Sequence, residues 1–262
     1  MNIPFYKCNS NGNDFIIILH FDHLDYSFFT KEKIRTICNY DNELYTDGFI
    51  LLKTINGINI MNYYNNDGSW ETFCLNGLIC CSLLLNEEFK KNNFEIISND
   101  VIYNTNISRK GYIQVELTKP VYKEKDILIH NYRADYLNSG ARHLVVNYND
   151  DWSNEKELIQ KMKKMRYDEL FKPEGININF YKVIDVDTIQ VKTYEKGIES
   201  IMNSCASGSV ACAYDYSKKY NFFEKINVIN DGGESQIIFK KKYNRNFFTS
   251  KGLIEFKGEL KI

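Results

Sequence analysis

Apolar positions along the chain come in short runs separated by Asn, Asp and Gly, a pattern of many brief strands rather than a few long helices. In the first half the β-prone runs are Phe15–Leu19, Phe49–Leu52, Gly57–Tyr63, Asn93–Ile97 and Gly111–Leu117. Two segments there read as helices. One is Lys31–Cys38. The other, Leu75–Leu85, is apolar on nearly every side (Leu78, Ile79, Cys80, Cys81, Leu83, Leu84, Leu85), which predicts burial all round instead of one buried stripe.

The second half repeats the theme. His143–Val146, Phe180–Ile184, Thr188–Lys192 and Ser235–Phe239 predict strands around a small-residue helix from Ala206 to about Tyr216. Glu155–Met165 reads as a separate amphipathic surface helix. The expected fold class is α/β in the α+β sense. It has two pseudo-symmetric domains, each a short-stranded, mainly antiparallel, barrel-like sheet around a central buried helix. Pro120 marks the expected break, giving domains 1–119 and 120–250, with the terminal segment 251–262 returning a strand to the first.

A written repeat supports the duplication. Cys74-Leu-Asn-Gly77-Leu-Ile-Cys-Cys81 and Cys205-Ala-Ser-Gly208-Ser-Val-Ala-Cys212 share the pattern C-x-[N/S]-G-x-x-x-C, 131 residues apart in a chain of 262. The same offset relates Asn99-Asp100 to Asn230-Asp231. A repeat spanning half the chain suggests two similar domains, each contributing one cysteine to a shared cleft.

Composition narrows the field. Net charge is −1 and 44% of residues are hydrophobic, so neither disorder nor general nucleic-acid binding is expected. No apolar run approaches the roughly 20 residues that cross a bilayer, so no membrane partner is expected. The opening Met-Asn-Ile-Pro-Phe-Tyr lacks the basic-then-apolar profile of a secretory leader. Seven cysteines, an odd number, then point to free thiols in a reducing compartment, and hence to a cytoplasmic protein.

Each motif cysteine falls immediately before its helix, where unpaired N–H groups and the positive end of the dipole lie. That position lowers a thiol pKa from about 8.5 toward neutrality. The same N–H groups make a cradle for a carboxylate. Two such thiols facing one carbon can remove a proton from one face and return one to the other, which inverts the centre. A lone cysteine at a helix start is more often structural; its repetition with Asn or Ser and Gly following shifts the reading to catalysis. Cys80, Cys81 and Cys212 sit inside the helices as packing residues, and Cys8 and Cys38 carry no motif. No Cys-x-x-Cys pair occurs, which disfavours zinc, and no metal is expected.

These residues resemble the diaminopimelate epimerases, which invert an amino-acid α-carbon without pyridoxal phosphate. Over nearly the full length the motifs keep the family order. They are Gly12-Asn13-Asp14-Phe15, then Tyr64-Asn65-Asn66-Asp67-Gly68-Ser69 ahead of Cys74, and Gly140-Ala141-Arg142-His143. Pro173-Glu174-Gly175-Ile176-Asn177-Ile178-Asn179-Phe180 and Thr193-Tyr194-Glu195-Lys196-Gly197 lead to Cys205, and Asp231-Gly232-Gly233 closes the pattern. The resemblance implies an interdomain site with no cofactor, Cys74 and Cys205 as the two bases, and His143 and Glu195 assisting their proton transfers. It implies that Asn13, Asn65 and Asn177 bind the substrate, a small amino acid, and that Leu75, Asn76, Gly77, Ala206 and Ser207 at the two helix starts contribute to the cradle. Related enzymes are often dimeric, so the resemblance leaves a homodimer open; no exposed apolar stripe argues it independently.

The chain departs from the family pattern where substrate is held. Leu75 and Ala206 replace glycines after the two cysteines, and Lys196 replaces the Arg that clamps the far carboxylate of diaminopimelate. Lys is a point charge where Arg grips bidentately. Ala141 replaces a substrate-binding Asn, and Arg142 replaces a Pro and adds a cation. Either Arg142 or Lys196 covers the far carboxylate of diaminopimelate, or the far end is rebuilt for another amino acid. Histidine racemases exist on this fold, and an imidazole needs less anionic recognition, so histidine leads. Rival readings are a non-catalytic amino-acid-binding protein, an isomerase of related fold that lacks the cysteine pair, and a redox or metal protein.

Overall fold

The computed structural model describes residues 2–20, 26–39, 45–220 and 224–261. In chain order its strands are β1 (Asn2–Ser10), β2 (Asn13–His20), β3 (Gly48–Ile55), β4 (Ile58–Asn65), β5 (Trp70–Glu71), β6 (Asn93–Ser98), β7 (Val101–Ile107), β8 (Ile113–Leu117) and β9 (Val121–Ile129). They continue as β10 (Tyr132–Asn138), β11 (Arg142–Asn147), β12 (Asn177–Asp185), β13 (Thr188–Tyr194), β14 (Ile201–Met202), β15 (Lys225–Asn230), β16 (Gly233–Lys240), β17 (Arg245–Ser250) and β18 (Leu253–Lys261). The α-helices are α1 (Lys31–Cys38), α2 (Leu75–Phe89), α3 (Glu155–Arg166) and α4 (Ala206–Lys219). Ile262, part of the expected terminal run, lies outside the described residues. No helix among the described residues is long and apolar enough to cross a membrane.

The chain forms two compact units, Met1–Glu116 with Thr249–Ile262, and Leu117–Phe248. In the first, β1 lies antiparallel between β18 and β2. β2 runs parallel to β3, and β4 parallel to β6. The hairpins β3–β4 and β6–β7 turn on Asn56-Gly57 and Asn99-Asp100, all at positive φ, the left-handed turn conformation that Asn and Gly tolerate. The strands surround α2, which packs against β1, β2, β4, β6, β7 and β18. Its residues from Leu75 to Leu85 are buried except Leu83, as an apolar helix requires. α1 covers the other side of the sheet, placing Ile34 and Ile37 against Ile16, Ile18, Phe49 and Leu51.

The second unit repeats this connectivity. β9 pairs with β10 as β18 pairs with β1, and β10 with β11 as β1 with β2. The parallel pairs β11–β12 and β13–β15 match β2–β3 and β4–β6. α4 packs against β10, β11, β12, β13 and β15, and α3 covers the outer face with Leu158, Met162 and Met165. The strands are mainly antiparallel, as expected. The parallel pairs arise where consecutive strands are joined through a helix, since only a long crossover returns the chain in the same direction.

Candidate active site

Cys74 is the N-cap of α2, with extended backbone (φ −142°, ψ 107°), and its sulfur accepts from the Gly77 N–H at 3.4 Å. Cys74 is partly exposed, whereas Cys8, Cys80 and Cys81 are buried. Gly77 packs closely against the strand below: a Cβ there would lie 2.9 Å from Ile50 Cδ1, which would have to shift. Leu75, Asn76 and Gly77 are buried at the first turn. Asn76 Nδ2 donates to Asn13 Oδ1 at 3.4 Å, while its own Oδ1 is buried with no hydrogen-bond partner among the described residues.

The candidate substrate-binding asparagines all hold protein groups. Asn13 Nδ2 donates to Asp47 Oδ2 at 2.8 Å, which also accepts the Asp14 N–H. Burial raises the Asp47 carboxyl above its ordinary value, against these hydrogen bonds. Asn65 accepts from the Tyr63 hydroxyl at 3.0 Å and donates to Ser69 Oγ at 3.1 Å. In the second unit, Asn177 Oδ1 accepts the Lys196 N–H at 2.8 Å.

Cys205 is the N-cap of α4, again extended (φ −122°, ψ 103°), with 7% of its surface exposed. Its thiol is pushed up to about 12, mainly by burial and then by the nearby Glu195 carboxylate. The Ser207 hydroxyl and the Gly208 N–H act in the opposite sense and lose. This corrects the expectation that a helix start lowers both motif thiols. The dipole acts here on a sulfur withdrawn from water, and desolvation of the thiolate is the larger effect. Ala206 is buried and Ser207 partly so; the Ser207 hydroxyl lies 3.6 Å from the Cys205 sulfur.

His143 is fully buried, with Nε2 3.0 Å from Ser207 Oγ and Nδ1 3.1 Å from Asn179 Nδ2. Burial pushes its imidazole down to about 4, so it is neutral at ordinary pH. Arg142 is exposed and pairs with Glu174 at 3.3 Å. Lys196 is exposed too, and its charge, with that of Arg142, holds Glu174 below its ordinary value, after the local hydrogen bonds.

Asn179, Thr193 and Glu174 carry parts of this site that motif reasoning did not single out. Asn179 had a signal. On β12 it shares a face with Tyr181, opposite the apolar Ile178 and Phe180, so a polar amide falls at an inward position. Among the described residues no cluster of three or more His, Cys, Asp or Glu could hold a metal.

No protein-family model matches the chain. In sequence it is 30% identical to a diaminopimelate epimerase of Archaeoglobus fulgidus, over 89% of this chain and 88% of that protein. It is also 30% identical to a diaminopimelate epimerase of Aquifex aeolicus, over 98% of each. In structure it resembles a phenazine biosynthesis protein of the PhzF family from Enterococcus faecalis, with a TM-score of 0.75 and 10% identity across 100% of both chains. The duplicated fold and these relatives define an isomerase of the cofactor-independent amino-acid racemase and epimerase class. Within that class the chain belongs to the diaminopimelate epimerase family.

Proposed function

We propose that the protein inverts an amino-acid α-carbon with Cys74 and Cys205 as its two bases. The observation that carries this is the duplicated one: in each unit a cysteine caps a buried central helix at the same place in the same strand order. Cys205, held protonated by burial and by Glu195, serves as the acid at rest. Cys74, partly exposed and already accepting the Gly77 N–H, takes the α-proton first. The S–H bond formed at Cys74 balances the one broken at Cys205, and the carbanion between is stabilised through its carboxylate by helix N–H groups. For the opposite enantiomer the roles exchange.

The substrate reading follows from the far-end residues. Arg142 spends its charge on Glu174, Lys196 stands where the family has Arg, and Glu174 adds an acid beside both. A second amino-carboxylate meets there a lysine in place of the family's arginine, and an arginine already paired with a competing carboxylate. A side chain without that group fits better, and histidine is the leading candidate. The alternative is diaminopimelate itself, favoured by the names of the relatives.

The test is a panel of L-histidine, LL-diaminopimelate, L-lysine and L-glutamate, each followed by chiral chromatography. Histidine is expected to be inverted, with kcat/KM for diaminopimelate lower by about a hundredfold, the discrimination given by unmatched polar groups. Preferential turnover of diaminopimelate would replace the substrate assignment and leave the two-base reading intact. No inversion of any amino acid, with tight binding, would favour a binding protein.

A further inference from the structure

Strand register aligns the two units residue by residue. Tyr63 and Tyr64 pair with β5 as Thr193 and Tyr194 pair with β14. Carried across β3 and β12, Ile50 opposite Tyr63 matches Asn179 opposite Thr193. One strand further, Phe15 of β2 matches His143 of β11. The helices agree: a Cβ on Gly77 would meet Ile50 Cδ1, and one on Gly208 would meet Asn179 Oδ1 at 2.3 Å and Thr193 Oγ1 at 2.9 Å. The mainly apolar seat beneath the start of α2 is matched by a polar, hydrogen-bonded seat beneath the start of α4. Burying three polar side chains, Asn179, Thr193 and His143, where the first unit has Ile50, Tyr63 and Phe15 is costly unless each is satisfied.

The hydrogen directions in this row are fixed by their ends. Asn179 Nδ2 lies 3.1 Å from the Leu144 carbonyl and 3.2 Å from that of Asn177, both acceptors only, so the amide nitrogen must face them. Its Oδ1 takes the Thr193 hydroxyl at 2.9 Å. The amide nitrogen shares its two hydrogens among these carbonyls and His143 Nδ1 and accepts none, so in that contact Nδ1 is the acceptor, which leaves the imidazole hydrogen on Nε2, donated to Ser207 Oγ at 3.0 Å. Taking the Nε2 hydrogen on one lone pair, the Ser207 hydroxyl keeps its own hydrogen to give, and at 3.6 Å from Cys205 Sγ it can donate to that sulfur once the thiol has lost its proton. Ser139 Oγ donates to the Ser207 carbonyl at 2.7 Å and holds the same residue from behind. The neutrality of His143 keeps the direction of the row constant at ordinary pH.

We propose that Asn179, His143 and Ser207 are positioning residues that hold a hydroxyl hydrogen on the Cys205 sulfur and so stabilise the thiolate left when Cys205 gives up its proton. The inference rests on the two-base reading. In that step the S–H bond breaks, the proton forms the new Cα–H bond, the electron pair stays on sulfur, and the Ser207 O–H donates to it. No proton travels along the row.

A double-mutant cycle on kcat, with L-histidine and LL-diaminopimelate as substrates, tests it. Ser207→Ala is expected to lower kcat by about ten- to a hundredfold, the value of a hydrogen bond to a charged group, with KM nearly unchanged; Ser207→Thr restores most of it. His143→Gln lowers kcat similarly when Ser207 is present and changes it little in the Ser207→Ala background, because His143 acts through that hydroxyl. Additive losses, an effect on KM alone, or full activity of Ser207→Ala would overturn the proposal. Thermal melts accompany each variant, and should His143→Gln fail to fold, Thr193→Val supplies the second arm. Cys74→Ser and Cys205→Ser, assayed in parallel, separate the two ideas. Racemisation by either defeats the two-base reading, whereas dead cysteine variants with an additive cycle defeat only the row.

Discussion

Cys74 and Cys205 share a place at a helix start and differ in what surrounds the sulfur. Cys205 must be protonated to act as acid, and burial with Glu195 raises its thiol to about 12. The activity lost on its ionisation is therefore expected well above pH 8.5, the ordinary thiol range, in a kcat/KM–pH profile. Glu195→Gln removes one of the two raising causes, so the same limb should move to lower pH; an unmoved limb would mean that another group sets it. His143 gives a stability signature of its own. Its folded pKa, about 4, lies below the unfolded 6.5, so its neutral burial stabilises above pH 6.5 and that contribution fades as pH falls toward 4. Chemical denaturation of wild type and His143→Gln should show a gap that narrows by roughly 3 kcal/mol over that range. At this scale the cysteines, His143 and Glu195 were singled out in sequence as site candidates because each occupies a position to which the resemblance assigns a role. Asn179 stands in a motif too but was not singled out, because the Asn of Ile-Asn-Phe gains a role only once the strand's two faces are assigned.

The helices and the loops beside them set what the site tolerates. Gly77→Ala presses on Ile50 Cδ1, the far end of a flexible side chain, whereas Gly208→Ala presses on a hydrogen-bonded amide and hydroxyl. Melting curves should show Gly208→Ala destabilised by about 1–3 kcal/mol and Gly77→Ala by less; the reverse order would contradict the seats described. Arg166, ending α3, ties two site loops together. It pairs with Glu199 at 2.9 Å, and Gly175 must lack a Cβ because one would lie 2.0 Å from Arg166 Nη1. Arg166→Ala should raise KM, since Asn177 follows Gly175 and Lys196 precedes Glu199. Elements with apolar runs, such as β2, β3 and α2, and the small-residue helix α4 could be read from the chain directly. β7 and β9 could not. In β7 only Tyr103, Thr105 and Ile107 are inward, and Asn104 and Asn106 face out, Asn106 donating across to Asn93 at 2.7 Å. In β9 only Ile127 and Ile129 are buried, so charged residues hide the strand.

Over the whole chain the duplicated order is closed differently in the two units. β9 immediately precedes its partner β10, but β18 pairs with β1 from the other end of the sequence, Asn2 opposite Lys261. Truncation after Ser250 should therefore strip hydrogen-exchange protection from β1 and α2 while α4 keeps its own; equal loss in both would show that the units do not fold on separate strands. The repeated cysteine motif was the one long-range feature legible in sequence, because a duplication writes itself at a fixed offset. The return of the terminal segment to the first domain was expected, but its partner strand and register, Asn2 opposite Lys261, were not, because no local pattern encodes a partner some 250 residues away. The central claim, that two sulfurs serve one carbon, is tested most directly by incubating Cys74→Ser and Cys205→Ser with substrate in deuterated water and reading Cα deuterium beside optical configuration. Each variant should lose inversion, with any deuterium appearing only in the configuration supplied. Full racemisation by either variant would contradict the account.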